Sequence, residues 1–286
     1  MLQFIRDAVI TLAAVVLVTL ALPKSPEYNN NIGYKHHYIT HHASDIKTLI
    51  IGHSHFENGL NPHLLGDSAF NLASAGRPYY YDIEILREYL PLMPNVKTVL
   101  FPLRYCLSDR NFYKARFRQG LFEDYYYGWN MLPPPEYRAE FKRPCKFIPH
   151  YRKYQTDRLT ADSLGYCPDF SIMALEQRDM SNWEQDDLEK VTGYLEEMAA
   201  ICKKNQVRFV VLTTPHSNQF LARVTPEGMA NLENTMLQVS NLCPVEYHNY
   251  MTDADYRSDS LYRDWSHLNS FGADIFTQRV KDDFGL

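Results

Sequence analysis

The chain has 286 residues, of which 45% are hydrophobic and 22% charged, values ordinary for a folded globular protein with one large or two small domains. A net charge of −5 excludes the basic footprint that nucleic-acid binding requires. The 21 Tyr, 15 Phe and 3 Trp suit wide, partly polar surfaces of the kind that carbohydrate-facing clefts present.

Residues 1–23 form a hydrophobic segment. Residues 8–22 carry no charge, follow Arg6 and stop at Pro23-Lys24. The run is apolar on every face and falls between a signal-peptide core and a full span of roughly 20 residues. The expectation is export, with an uncleaved membrane anchor ahead of a cleaved signal. Residues 24–45 are polar and contain His36, His37, His41 and His42. No cysteine or carboxylate joins these histidines at metal-ligand spacing, so the stretch reads as a solvated linker. The five cysteines are Cys106, Cys145, Cys167, Cys202 and Cys243. An odd count in an exported chain leaves at least one thiol free or paired between molecules. No Cys-x-x-Cys spacing occurs, so neither a zinc site nor a redox motif is indicated. Cys202 and Cys243 fall in helical patterns and read as small buried hydrophobes.

From Ile46 to the C-terminus the pattern alternates between strand and helix. Residues 47–53 read as a first strand and residues 70–73 as a second. Ile83, Leu86, Leu90 and Met93 recur at helical spacing. Residues 96–103 form a third strand, with Pro102 marking where pairing stops. Residues 104–180 break the rhythm with many Tyr and Arg residues and the triple proline at 133–135. This insertion is too long for a simple crossover; it either lines a substrate cleft or packs on the core. Ser181 and Glu184 fit a capping box ahead of an apolar stripe at Leu188, Val191, Leu195, Met198 and Ile201. Residues 207–213 are a strong strand ending in Thr214-Pro215-His216. Thr225-Pro226 opens a helix to about Leu242, residues 245–250 are a fifth strand, and Ser270 is expected to cap a last helix. The implied fold is α/β: three layers, with a doubly wound, mostly parallel five-stranded sheet in flavodoxin-like order. It occupies residues 46–286.

Two stretches carry chemistry. The first strand stops at Gly52-His53-Ser54-His55, which puts a serine at the carboxyl end of a strand, where open parallel sheets bind ligands. Before the last helix stands Asp264-Trp265-Ser266-His267-Leu268-Asn269. An Asp and a His three positions apart in a loop can face one pocket: Asp264 orients the imidazole, His267 takes a proton, and Ser54 attacks a carbonyl.

With these residues the chain resembles the SGNH (GDSL-like) hydrolase superfamily. It is closer to the membrane-anchored, exported branch that includes D-alanyl transfer and alginate O-acetylation proteins. Gly52-His53-Ser54 stands where the family has Gly-Asp-Ser, and Asp264 to Asn269 matches its Asp-x-x-His-Leu-Asn block. Asn71-Leu72-Ala73-Ser74-Ala75-Gly76 matches the second block, which implies an oxyanion hole made by the backbone N–H groups of Ser54 and Gly76. The family's third block supplies an asparagine to that hole. Here the stretch is Phe101-Pro102-Leu103-Arg104-Tyr105-Cys106, with no asparagine, so either Arg104 or Tyr105 is the substitute or the hole is incomplete. His53, His55, Arg104 and Tyr105 are the candidate substrate contacts. The resemblance implies a serine esterase or O-acyltransferase that needs no metal or organic cofactor. It would act outside the cytoplasm on an acylated glycan or a small acyl ester, with a membrane acyltransferase as an expected partner. The alternative is a membrane-anchored accessory or glycan-binding subunit that keeps the fold with weak catalysis.

Overall fold

Residues 98–102 and 208–213 show what the sheet is made of: Leu100, Val210 and Leu212 face one layer of helices, and Val99, Phe101, Phe209 and Val211 the other. Strands buried on both faces lose the polar-apolar alternation and read as continuous apolar runs, as parallel sheets do. The computed structural model describes residues 2–21, 30–66, 68–107, 113, 115–142, 159–172 and 187–286. Five strands form one all-parallel sheet: β1 (Thr48–Ile50), β2 (Ala69–Asn71), β3 (Thr98–Pro102), β4 (Arg208–Thr213) and β5 (Glu246–Asn249). Their spatial order is β2-β1-β3-β4-β5. The order reverses between β1 and β3, so the crevice beyond their carboxyl ends is the expected ligand edge.

One face of the sheet is covered by α5 (Tyr79–Tyr89), α7 (Leu188–Lys204) and α9 (Pro226–Leu242), and the other by α10 (Ser270–Phe284) with the one-turn α4 (Pro62–Leu65). Ile83, Leu86, Leu90 and Met93 are buried, as their spacing predicts, and so are Val191, Leu195 and Met198. Each such side chain contributes about 1.5–3 kcal/mol by leaving water. Thr225 caps α9 by accepting from Gly228 N–H at 3.0 Å. The cap of α10 is Asn269 rather than Ser270, because Ser270 Oγ is engaged by the backbone of Asp169. The capping box at residues 181–184 lies outside the described residues.

The strands are shorter than the apolar runs suggest. Ile51 N–H still pairs with the Leu100 carbonyl at 3.0 Å, but Gly52 has φ +108° and ends the ladder. A Cβ at Gly52 would lie 2.3 Å from Pro102 Cδ, so only glycine lets β1 turn this close to the end of β3.

The polar stretch after the N-terminal segment is not a solvated linker in its second half. Residues Asn31–His41 form α2, capped by Asn30, with Asn31, Ile32, Lys35 and Ile39 buried. His36 shares a 2.9 Å hydrogen bond with Tyr89 OH, and its ring lies 4.8 Å from that of Trp129 in α6 (Ala115–Trp129). The first long described part of the insertion, residues 115–142, therefore contains a helix packed on α2. Its second described part, residues 159–172, is an irregular strap. Helix α1 (Leu2–Ala21) leaves the side chains of residues 3–15 exposed. Among the described residues no helix is long and apolar enough to cross a membrane; the side chains of residues 16–21 fall outside that description.

Cys167, Cys202 and Cys243 are free thiols, Cys106 is buried, and Cys145 lies outside the described residues. Burial pushes the Cys202 thiol up to about 12, consistent with a small hydrophobe on α7.

Candidate active site

The chain leaves β1, turns at Gly52 and enters a one-turn helix, α3 (Ser54–Glu57), whose first residue is Ser54. The His53 carbonyl accepts from Phe56 and Glu57 N–H at 3.0 and 3.1 Å and fixes that turn. Gly52 N–H donates to Asp82 Oδ1 at 3.1 Å, and the same oxygen accepts from Arg77 Nη1 at 3.2 Å. Arg77 Nε donates to Tyr125 OH at 2.8 Å. A buried Arg77–Asp82 pair thus ties the serine turn to α5 and α6.

The partner loop lies between β5 and α10. Asp264 Oδ1 accepts from the backbone N–H of Ser266 and of His267, both at 2.9 Å, which closes the loop on its own carboxylate. Trp265 stacks on Phe220 of α8 (Asn218–Leu221) with centroids 5.1 Å apart, and its carbonyl accepts from Ser217 Oγ at 2.7 Å.

These two halves meet. Ser54 Oγ lies 2.8 Å from His267 Nε2, and His267 Nδ1 lies 2.9 and 3.0 Å from the Asp264 oxygens. Since the carboxylate accepts, Nδ1 carries the proton and Nε2 is left as the base toward the serine hydroxyl. Burial pushes the Asp264 carboxyl up, but the hydrogen bonds from His267 and from two backbone N–H groups outweigh it. The group is held well below the usual carboxylate range and stays ionised.

The second block stands beside the turn. Ser74 N–H donates to the Gly52 carbonyl at 2.9 Å, and Gly76 follows with φ +69°, a conformation glycine adopts at no steric cost. The 73–76 turn therefore lies next to Gly52, in the region where its amides and that of Ser54 are expected to receive an oxyanion.

His53 and His55 sit inside the site. His53 Nδ1 accepts from the backbone N–H of His55 at 3.4 Å, so this ring is neutral with its proton on Nε2. His55 Nδ1 lies 3.1 Å from the same nitrogen. The His55 ring lies 4.3 Å from that of His267 and 5.5 Å from that of His216. Both His53 and His55 are held well below the ordinary imidazole range, first by burial, then by the crowding of neighbouring imidazoles and the Arg104 guanidinium, which would repel a second positive charge. His216, whose Nδ1–H donates to the Thr214 carbonyl at 2.7 Å, is lowered to about 4 by burial. Among the described residues no group of His, Cys, Asp and Glu is arranged to hold a metal ion.

Arg104 and Tyr105 follow β3, where the asparagine of the third block would stand. The Arg104 guanidinium lies over the Tyr79 ring at 4.9 Å. Tyr105 OH accepts from Thr225 N–H at 3.0 Å, so it is engaged with the start of α9. Of the two expected substitutes, Arg104 is the one whose charge reaches His53 and His55.

Sequence reasoning passed over His216, Glu57, Asp82 and the strap. His216 follows β4 directly, and its place at the carboxyl edge of the sheet was the available signal. The strap, residues 159–172, crosses both halves of the site. Cys167 N–H donates to the Glu57 carbonyl at 3.2 Å, and Asn58 Nδ2 donates to the Cys167 carbonyl at 2.7 Å. Further on, Arg263 Nη1 donates to Asp169 Oδ2 at 3.1 Å and Asn269 Nδ2 to the Ser171 carbonyl at 3.1 Å. The strap binds the loop after Ser54 to the loop carrying Asp264 and His267.

No protein-family model matches the chain, and no curated protein matches it. Solved structures do. A Streptococcus pneumonia protein described as a candidate platelet activating factor has a TM-score of 0.50 at 13% identity, over 96% of this chain and 98% of its own. A GDSL-like lipase from Bacteroides thetaiotaomicron gives 0.46 at 9% identity, over 89% and 98%. A catalytic mutant of an acetylxylan esterase from Geobacillus stearothermophilus gives 0.46 at 10% identity, over 85% and 95%. The first likeness shows a shared fold, an α/β architecture around a five-stranded parallel sheet; it speaks to fold and not to activity.

Proposed function

We propose that the protein is a serine-dependent acyl-ester enzyme that works outside the cytoplasm and removes or transfers a small acyl group, acetyl foremost, on a cell-surface or secreted glycan. The observation that carries this reading is the unbroken hydrogen-bond chain from Ser54 Oγ through His267 to Asp264. Ser54 Oγ attacks the ester carbonyl while His267 Nε2 takes its proton. The oxyanion is received by the N–H groups of Ser54 and Gly76. His267 then protonates the leaving oxygen as the C–O bond breaks, and Ser54 holds the acyl group. Water or a sugar hydroxyl, deprotonated by His267, attacks that acyl-enzyme and frees Ser54.

The glycan and the location rest on the sequence. An apolar N-terminal run supports an anchor at a membrane, and the aromatic load supports a sugar-facing cleft. A membrane acyltransferase is the proposed partner where the acyl group is transferred rather than hydrolysed. The accessory-subunit reading is favoured by one observation, the replacement of the third-block asparagine by the 104–106 stretch. Acetate release from an acetylated polysaccharide and from a small acetyl ester decides between the two. The enzyme reading expects turnover lost in both Ser54→Ala and His267→Ala. No turnover by the full chain, with co-purification of a membrane acyltransferase, would leave the accessory reading.

A further inference from the structure

Helix α2 delivers a charge to the underside of the site. Lys35 is 0% exposed. Its ammonium donates to the Ala73 carbonyl and pairs with Glu57 Oε1 at 3.3 Å. Glu57 ends the same one-turn helix that Ser54 begins, and its other oxygen, Oε2, accepts from Ala75 N–H at 2.7 Å. The pair therefore grips the second-block turn on both sides, by the carbonyl of Ala73 and by the amide of Ala75. Ser74, between them, is already fixed to the Gly52 carbonyl. Cys167 Sγ, 3.6 Å from Glu57 Oε1, and Asn31 Nδ2, 3.3 Å from that sulfur, complete the cluster.

A buried ion pair is a poor way to gain stability, since desolvation offsets most of the attraction and an apolar pair of similar volume does as well. What this pair supplies is direction. An apolar pair removes the acceptor that Glu57 gives the Ala75 N–H; Ala75 itself is exposed, so that amide would turn to water and lose the fixed direction the carboxylate imposes.

We propose that Glu57, held in place by Lys35, is a positioning residue for the oxyanion hole. Its acceptor fixes the peptide ahead of Ala75, so that only the backbone torsions of Ala75 separate a fixed plane from the Gly76 N–H. The inference rests on the acyl-ester reading above and adds to it that α2 belongs to the catalytic unit. A misplaced oxyanion donor costs transition-state stabilisation and leaves substrate binding alone.

The test compares two double variants of the full chain that remove the same charges. Lys35→Met/Glu57→Leu removes the acceptor facing Ala75, whereas Lys35→Met/Glu57→Gln keeps an amide oxygen there. With p-nitrophenyl acetate, the leucine variant is expected to lose about 10–100-fold in kcat with KM within about twofold, a fraction of the 10²–10³ that loss of a whole donor costs. The glutamine variant is expected to stay within about threefold of wild type. Equal kcat in the two variants, or a loss confined to KM, overturns the inference while leaving the esterase reading intact. Absence of turnover in the wild type overturns both. Should the leucine variant not fold, hydrogen exchange in the wild type decides: Ala75 N–H is expected to be protected, and exchange at the rate of an open loop amide overturns the proposal.

Discussion

Asp169 and Ser270 bond each other twice: Ser270 N–H donates to the Asp169 carbonyl at 2.7 Å, and Asp169 N–H donates to Ser270 Oγ at 2.8 Å. One residue belongs to the strap and the other begins α10, the helix that follows His267. Ser270→Ala removes the hydroxyl acceptor and leaves a part-buried N–H unpaired. The expected cost is about 1–2 kcal/mol in urea-induced unfolding, with KM for a small ester unchanged. A variant as stable as wild type would show that the strap does not bear on the fold at this point.

Asp264 holds the tautomer of His267 and remains ionised through its hydrogen bonds. Asp264→Asn keeps the shape but removes the charge that fixes the proton on Nδ1. On the acyl-ester reading kcat falls by about 10³–10⁴-fold with KM little altered. Steady-state kinetics on a chromogenic acetyl ester reads this directly, and a loss below tenfold would contradict the role given to Asp264.

The pH dependence of stability carries the mark of the buried imidazoles. His216 is lowered to about 4 in the folded state, against about 6.5 for an unperturbed imidazole. Between those values the unfolded chain binds a proton that the folded chain does not. The neutral ring's contribution is therefore complete above about pH 6.5 and is lost as pH falls toward 4, by about 3 kcal/mol in all. His53 and His55 act in the same sense. His216→Asn, which can still donate to the Thr214 carbonyl, is expected to reduce the slope of unfolding free energy between pH 6.5 and 4. Urea midpoints across that range, identical in slope for variant and wild type, would refute it.

Arg104 and Tyr105 are neighbours with different work. Tyr105→Phe loses the bond to Thr225 and is expected to lower stability by about 1 kcal/mol while kcat holds. Arg104→Met, beside the histidines, is expected to lower kcat/KM by about tenfold or more with the thermal midpoint little changed, as for loss of a charge near the reacting ester. Measuring both variants for midpoint and rate separates a structural tyrosine from a functional arginine; the reverse pattern would exchange the assignments.

The sheet was readable because its strands are buried on both faces and so stand out as apolar runs, and because α5 and α7 carry clean stripes. That Ser54, His267 and Asp264 meet was readable from place: a serine just past the first strand and an Asp-x-x-His just ahead of the last helix. Helix α2 was missed because what it buries includes Lys35 and Asn31, and an apolar-period rule is blind to a face that packs through an ion pair and amide bonds. The strap was missed for a related reason. It has no periodic pattern, and its partners, such as Asn71 for Leu164 and Ser270 for Asp169, lie far off in the chain. The cap of α10 moved by one residue because Asn269 and Ser270 are both capping types and only the strap decides which is occupied elsewhere.

Everything in the acyl-ester reading turns on Ser54 being a nucleophile activated by His267. The most direct measurement is labelling of the full chain with a fluorophosphonate probe, followed by mass spectrometry of the modified peptide. One adduct on Ser54 is expected, with no labelling of Ser54→Ala and labelling of His267→Ala slowed by at least about 10³-fold. An unlabelled wild type, or equal labelling of wild type and Ser54→Ala, would contradict it.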